Sequence, residues 1–354
     1  MTPELGLIEG FFGRPWTWTQ RAEAVRFLAP HGYRSYLYAP KADAYLRRRW
    51  QEPHPEPELA QLLAFRETCR REGVRFGIGL SPFELHLNPE RGWQEILAAK
   101  LAVLAPLKPD DLAILFDDMR GDVPGLAERQ AAIVHFAAER SGVERILCCP
   151  SYYSDDPILD VAFGERPPLY LEQLGRQLDP AIRIFWTGEE VCSREYSPGH
   201  LARVAEQLRR KPVLWDNYPV NDGSRMSQHL HLRAFTGRPA SIAGHIAAHG
   251  VNPASQPLLS RLPLLTLAES YAEGGAYEYG EAFARAARTV LGEELAARVA
   301  KDLLTLQDRG LDRLGERRTA LRARYSAFAH PAAQEIVQWL DGHWNVTDAL
   351  VQTQ

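Results

Sequence analysis

Cysteine is scarce in this chain: Cys69, Cys148, Cys149 and Cys192 are the only four in 354 residues. They are too few and too scattered for a disulfide framework or a zinc site. Cys148 and Cys149 adjoin within an apolar run, which predicts buried, reduced thiols. Nowhere does an apolar stretch approach the roughly 20 residues needed to cross a bilayer. The first apolar segment, Leu5–Phe12, already reads as a core strand and contains Glu9. That leaves no room for a charged start, an apolar stretch and a cleavage site, so a cytoplasmic chain is expected. Neither sign of charge dominates, with 41 Lys and Arg against 45 Asp and Glu. A net charge of −4 gives no electrostatic reason to expect nucleic acid or an anionic membrane as partner. Two short basic runs, Arg47–Arg49 and Arg209–Lys211, read as solvated helix faces. Internal repeats, low-complexity tracts and long linkers are absent from the sequence too.

What the chain does have is alternation. Short apolar runs at Leu5–Phe12, Tyr33–Ala39, Arg75–Ser81, Leu112–Asp117, Arg145–Pro150, Arg183–Thr187, Pro212–Asp216 and Ile242–Ala248 predict eight strands. Helical periodicity falls between them, near residues 18–30, 57–72, 89–105, 125–140, 168–178 and 198–210. In the second of these, Leu59, Leu62, Leu63 and Phe65 recur with helical spacing beneath charged positions. The run Leu112–Phe116 is apolar throughout, as a strand buried on both faces should be. Eight strands alternating with helices predict a closed parallel (β/α)8 barrel, with an open doubly wound sheet as the competing architecture. The connection 217–241 is longer, with a short helix expected at Arg225–Ala234. After Pro257 the pattern is helical only: Leu258–Ala272, Gly280–Leu291, Glu293–Asp308 and Leu314–Asp341, the last broken near Phe328–Pro331. The expected division is a catalytic barrel over residues 1–272 and an appended helical region over 273–354.

In a parallel barrel, reactive groups gather at the carboxyl ends of the strands. The predicted ends here supply Glu9-Gly10, Lys41, Asp117-Asp118, Tyr153, Thr187, Trp215 with Asn217 and Asp222, and Asn252. Carboxylates, amides, a lysine and aromatic rings on one rim suit a sugar, which offers apolar C–H faces and a ring of hydroxyls. Asp117-Asp118 is the sharpest local feature. Two carboxylates directly after an apolar run are costly to bury as a charged pair. Their repulsion is expected to raise one pKa, as a general acid at neutral pH requires. The bland alternative is that Asp118 caps the following loop.

Glu-Gly-Phe-Phe-Gly-Arg-Pro-Trp at 9–16, Tyr-Leu-Tyr-Ala-Pro-Lys at 36–41, Leu-Phe-Asp-Asp at 115–118, Trp-Thr-Gly at 186–188 and Trp-Asp-Asn at 215–217 resemble family 84 glycoside hydrolases. That family includes the O-GlcNAcases and bacterial β-N-acetylglucosaminidases. The resemblance runs in matching order over about residues 5–272. It implies retaining hydrolysis assisted by the substrate, whose 2-acetamido oxygen attacks the anomeric carbon and gives an oxazoline. Such enzymes are exceptions to the two-carboxylate scheme. By resemblance, Asp117 accepts the acetamido N–H, while Asp118 protonates the leaving oxygen and then activates water. Asn217 helps to orient the acetamido group and Asp117. The Gly10 carbonyl and Lys41 hold ring hydroxyls, Asp222 and Asn252 bind the far hydroxyl edge, and Tyr153 bonds near the acetamido group. Cys149, Thr187, Val191 and Trp215 wall its methyl. Two departures stand out, Phe12 for a tyrosine and Phe83 for a glycine.

The implied partner is a glycoside, glycan or glycoprotein bearing β-linked GlcNAc, and no cofactor is expected. A homodimer through the tail stays open, as does a barrel that binds the sugar without turning it over. His229-Leu-His231 and the His245/His249 pair have spacings found in metal sites. However, the first is expected after strand seven and the second in or beside a strand, where no shared helix face is formed. Gly77-Ile-Gly79 lacks the third glycine of a dinucleotide-binding turn and reads as strand packing.

Overall fold

A computed structural model of the chain describes residues 2–87 and 92–354. Eight parallel strands form a closed barrel in sequence order, with β8 pairing back to β1. They are β1 Leu5–Glu9, β2 Tyr33–Tyr38, β3 Arg75–Leu80, β4 Asp111–Leu115, β5 Arg145–Cys149, β6 Arg183–Trp186, β7 Val213–Asp216 and β8 Ala248–Val251. Helices follow the strands: α1 Trp18–Leu28, α2 Glu56–Arg71, α3 Trp93–Leu104, α4 Leu126–Ser141, α5 Ile158–Phe163, α6 Tyr170–Gln177, α7 Pro198–Leu208 and α8 Arg261–Glu273. Part of the expected helix 89–105 lies outside the described residues. Strands this short and apolar are buried on both faces because the helices cover the outside and side chains fill the centre. All five residues of β4 are buried.

Two strand-to-helix segments differ from expectation. The apolar stretch 242–248 does not form the eighth strand; Ala240–Gly244 is a 3-10 turn, and β8 begins at Ala248. The strand carries His249 and Gly250 in place of an apolar run. Both are demanded by packing: His249 is buried against Asp216, and a Cβ on Gly250 would lie 2.4 Å from the Ile8 side chain. The helix expected at Arg225–Ala234 is only a 3-10 turn, Met226–Gln228.

Beyond α8 the chain is helical, with α9 Tyr279–Leu304, α10 Arg317–Ser326, α11 Pro331–Leu340 and α12 Asp348–Thr353. The two helices expected at 280–291 and 293–308 are one helix kinked at Gly292, followed by a π turn to Arg309. A second apolar core joins these helices to the barrel through Leu230, Leu232, Leu259 and Leu262. Among the described residues, no helix is long and apolar enough to cross a membrane.

Neither basic run lies on a helix; Arg48, Arg49, Arg209 and Lys211 are solvated as expected, but Arg47 and Arg210 are not. Arg47 ends a 3-10 turn and is buried, 3% exposed. Arg210 donates to the carbonyls of Gly175, Leu178, Asp179 and Ile182, tying off the end of α6. Cys69, Cys148 and Cys149 are buried free thiols, whereas Cys192 is exposed.

Candidate active site

At the carboxyl end of the barrel lies a cavity of about 240 Å³. Every strand end but that of β3 delivers described residues there, because the side chain after the last barrel rung is the first one free of the packed interior. Gly10 follows β1, Lys41 follows β2, and Asp117 and Asp118 follow β4. Cys149 ends β5, with Tyr153 four residues on, and Thr187 and Val191 follow β6. Trp215 lies in β7, Asn217 and Asp222 come after it, and Asn252 follows β8. All twelve candidate residues line the cavity. The lining also includes Phe12, Cys192, Val220, Gly223 and Val351, which sequence reasoning did not place there.

The aspartate pair is shaped by the backbone. Phe116 N–H donates to the Cys149 carbonyl at 2.9 Å, extending the β4–β5 ladder one residue past the strand. Asp118 then adopts φ 56°, a left-handed conformation that aspartate tolerates better than most residues. The turn breaks strand alternation, so both carboxylates meet one cation. The Lys41 ammonium bonds Asp117 Oδ2 and lies 3.2 Å from Asp118 Oδ2. Tyr153 donates its hydroxyl to Asp118 Oδ1 at 3.0 Å. Asp117 Oδ1 is buried and has no hydrogen-bond partner.

These contacts reverse one expectation. Burial raises the pKa of Asp118, but Lys41 and Arg47, together with the bonds from Lys41 and Tyr153, outweigh it and hold the carboxyl below the usual carboxylate range. The repulsion argument considered the two acids alone, and a buried ammonium between them changes its sign. Lys41 itself is disfavoured as a cation by burial, yet the two aspartates keep its pKa above the ordinary lysine value. The raised acid in the cavity is Asp222. Burial pushes it up to about 6, offset in part by the Phe12 N–H that it accepts and reinforced by nearby Asp118.

The remaining wall is rigid. A Cβ on Gly10 would sit 2.3 Å from Trp215 Cζ2, so the indole fills the space that any other residue would claim. Phe185 backs the indole edge-on, with ring centroids 5.2 Å apart. Asn252 donates to Asn217 Oδ1 at 3.0 Å and accepts the Gly10 N–H at 3.3 Å. Asn217 donates to the Val191 carbonyl at 2.9 Å, so its polar atoms are engaged by Val191 and Asn252 and not by Asp117. Of the two departures, Phe12 lines the cavity, whereas Phe83 stacks under Arg47 and Arg48. The histidines turn to structure. His229 and His231 face the carbonyls of Gln307 and Pro219, and His249 bridges Asp216 and the Tyr271 hydroxyl. Among the described residues, no group of three or more His, Cys, Asp or Glu is placed to hold a metal ion.

A parallel barrel with an aspartate pair, a lysine and an aromatic wall at its carboxyl mouth carries its candidate site where barrel enzymes carry theirs. The family model for β-N-acetylglucosaminidase matches residues 5–307, and the chain belongs to that family of glycoside hydrolases, family 84. The match continues past the barrel into α9 and the π turn. Among curated relatives, the chain is 29% identical to the protein O-GlcNAcases of Rattus norvegicus and Mus musculus over 277 residues. That alignment covers 75% of this chain and only 30% of either relative, so the chain spans less than a third of the relatives it matches. Among solved structures, a mutant of the Thermobaculum terrenum O-GlcNAc hydrolase superposes with a TM-score of 0.79 at 28% identity. It covers 96% of this chain and 80% of its own.

Proposed function

We propose that the chain is an exo-acting β-N-acetylglucosaminidase that releases terminal β-linked GlcNAc with retention, using the substrate's own acetamide as nucleophile. The reading rests on one observation: Asp117, which lines the cavity beside a second carboxylate, carries a buried oxygen with no hydrogen-bond partner. An unsatisfied buried acceptor is costly, and a bound acetamido N–H would satisfy it. As the acetamido oxygen forms its bond to C1 and the C1–O bond to the leaving group breaks, Asp117 stabilises the positive charge on the forming oxazoline. Asp118 gives its proton to the departing oxygen. In the second half Asp118 takes a proton from water, whose oxygen bonds C1 while the ring C1–O bond of the oxazoline opens. The configuration at C1 is thereby retained.

The arrangement suits the second half better, because both Asp118 oxygens act as acceptors toward Lys41 and Tyr153. A sugar hydroxyl that draws the ammonium of Lys41 to itself would lift that restraint and let Asp118 hold a proton. Gly10 and Lys41 would grip ring hydroxyls, Asp222 and Asn252 the far hydroxyl edge, and Cys149, Thr187, Val191 and Trp215 the acetamido methyl. Tyr153 and Asn217 would fix Asp118 and the wall. In this reading residues 1–272 are the catalytic unit and 273–354 an appended helical region.

The test is release of nitrophenol from 4-nitrophenyl N-acetyl-β-glucosaminide, with tight inhibition by a thiazoline mimic of the oxazoline. Absence of release across roughly pH 4 to 9 would overturn the enzymatic reading. Sugar affinity by calorimetry without hydrolysis would then mark a binding barrel.

A further inference from the structure

One lining residue comes from far outside the barrel. Val351, in α12, is the only described residue beyond 252 that faces the cavity. The six-residue helix is built to be held by its surroundings. Thr347 caps it by accepting the Leu350 N–H, and none of its side chains is buried. So short a helix has little stability of its own, and a segment without core contacts belongs to the easily opened part of a structure.

What holds it are two barrel loops. Gly13 and the Gln354 side chain exchange hydrogen bonds, N–H to Oε1 at 2.7 Å and Nε2 to the Gly13 carbonyl at 3.2 Å. Arg47 donates to the Gln354 carbonyl at 3.0 Å, and Arg48 to the Gln352 carbonyl at 2.6 Å. Both guanidiniums lie over the Phe83 ring. The anchoring loop is also the one that shapes the pocket, since Phe12, next to Gly13, donates its N–H to Asp222.

We propose that residues 347–354 form a strap across the Phe12–Asp222 corner of the cavity and that this strap makes the pocket blind at the hydroxyl edge of the sugar. The proposal rests on the GlcNAc-hydrolase reading, in which Asp222 holds that edge. It assigns selection for a terminal sugar to a detachable helix and not to the barrel rim alone. A residue joined through the far hydroxyls would meet Val351, and steric exclusion of this kind sets specificity by penalising the wrong ligand.

The experiment compares the full chain, a chain cut after Val346, and the full-length variant Arg48→Ala. The substrates are 4-nitrophenyl N-acetyl-β-glucosaminide and 4-nitrophenyl chitobioside, with the second scored for direct nitrophenol release together with intact chitobiose. The intact chain should strongly prefer the monosaccharide. Cutting the strap should raise the chitobioside-to-monosaccharide ratio of kcat/KM by about tenfold or more, the scale of a lost steric clash. Arg48→Ala, which loosens the strap without removing it, should raise the ratio about threefold and still fold should the cut chain not. An unchanged ratio in both variants, or no direct release from the chitobioside by any of the three, overturns the strap while leaving the monosaccharide activity standing. An intact chain inactive on the monosaccharide overturns the reading beneath it, and the strap falls with it.

Discussion

Asp117 and Asp216 are both buried aspartates at strand ends, one just past β4 and one closing β7, and they have opposite surroundings. Asp216 is wholly enclosed. Arg238 donates to both of its oxygens at 2.9 and 2.7 Å, and His249 adds a third contact at 3.0 Å. Asp117 lines the cavity, with Lys41 on one oxygen and no hydrogen-bond partner on the other, which is buried. A carboxylate whose acceptor capacity is used up inside the protein holds the fold together. One left partly unsatisfied in a cavity wall is costly to the fold, and the proposed function gives it a ligand to bond.

The largest effect is expected from Asp118→Asn, which should cut turnover on an aryl glycoside with a poor leaving group by about 10²–10⁴-fold. A dinitrophenyl leaving group should recover much of that loss; a loss independent of the leaving group would remove Asp118 from the acid role. Asp216→Asn should act on stability, since breaking a buried ion pair costs about 3–5 kcal/mol, read as a lower midpoint of urea unfolding. The folded fraction should keep its kcat, and selective loss of activity would invert the comparison. The same pair predicts acid sensitivity. Burial raises the Asp216 pKa, but Arg238 and His249 outweigh it and hold the group below its ordinary value. Its contribution is therefore present above the unfolded carboxyl pKa and lost as pH falls through the lower folded one.

Asp117→Asn should lower kcat by about 10²–10³-fold, because in the proposed mechanism an amide cannot balance the charge of the forming oxazoline. This loss should persist with every leaving group, which separates Asp117 from Asp118. The smallest effect concerns Asp222, whose carboxyl is pushed up to about 6 by burial. It is ionised above that pH and neutral below, so kcat/KM should fall on the acid side as it loses its capacity to accept the two sugar hydroxyls proposed for it. Asp222→Asn should weaken substrate binding about tenfold and abolish that acid limb. A limb that survives the substitution belongs to another group.

Seven strands were legible because each is an apolar run bounded by turn residues, and parallel strands covered on both faces leave that signature. The eighth was not. Its sequence, Ala-His-Gly-Val, is chosen by what it must fit, a histidine for Asp216 and a glycine beside Ile8. The apolar residues just before it fill a 3-10 turn instead. The residues that gather around the cavity could be read from strand ends and motifs, because a barrel maps local position onto one rim. Arg47 and Val351 could not. Arg47 meets Gln354 across 307 residues of sequence, and a basic triplet looks the same whether it is solvated or pins a distant helix. A Thr-Asp cap before Ala-Leu-Val at 347–351 was the available sign of α12, too short to stand out by periodicity. Nor could the low pKa of Asp118 be foreseen, since it depends on a lysine 77 residues earlier entering between the two acids.

The close approach of Gly10 and Trp215 makes the first and seventh strands share one volume. A methyl added at Gly10 would occupy the place of the six-membered edge of the indole, and the ring has Phe185 behind it. Redesigning this pocket for a sugar with a different 2-substituent therefore cannot proceed one position at a time. A larger first-strand residue requires a smaller ring on the seventh, so the two positions must be varied together in any library built on this scaffold.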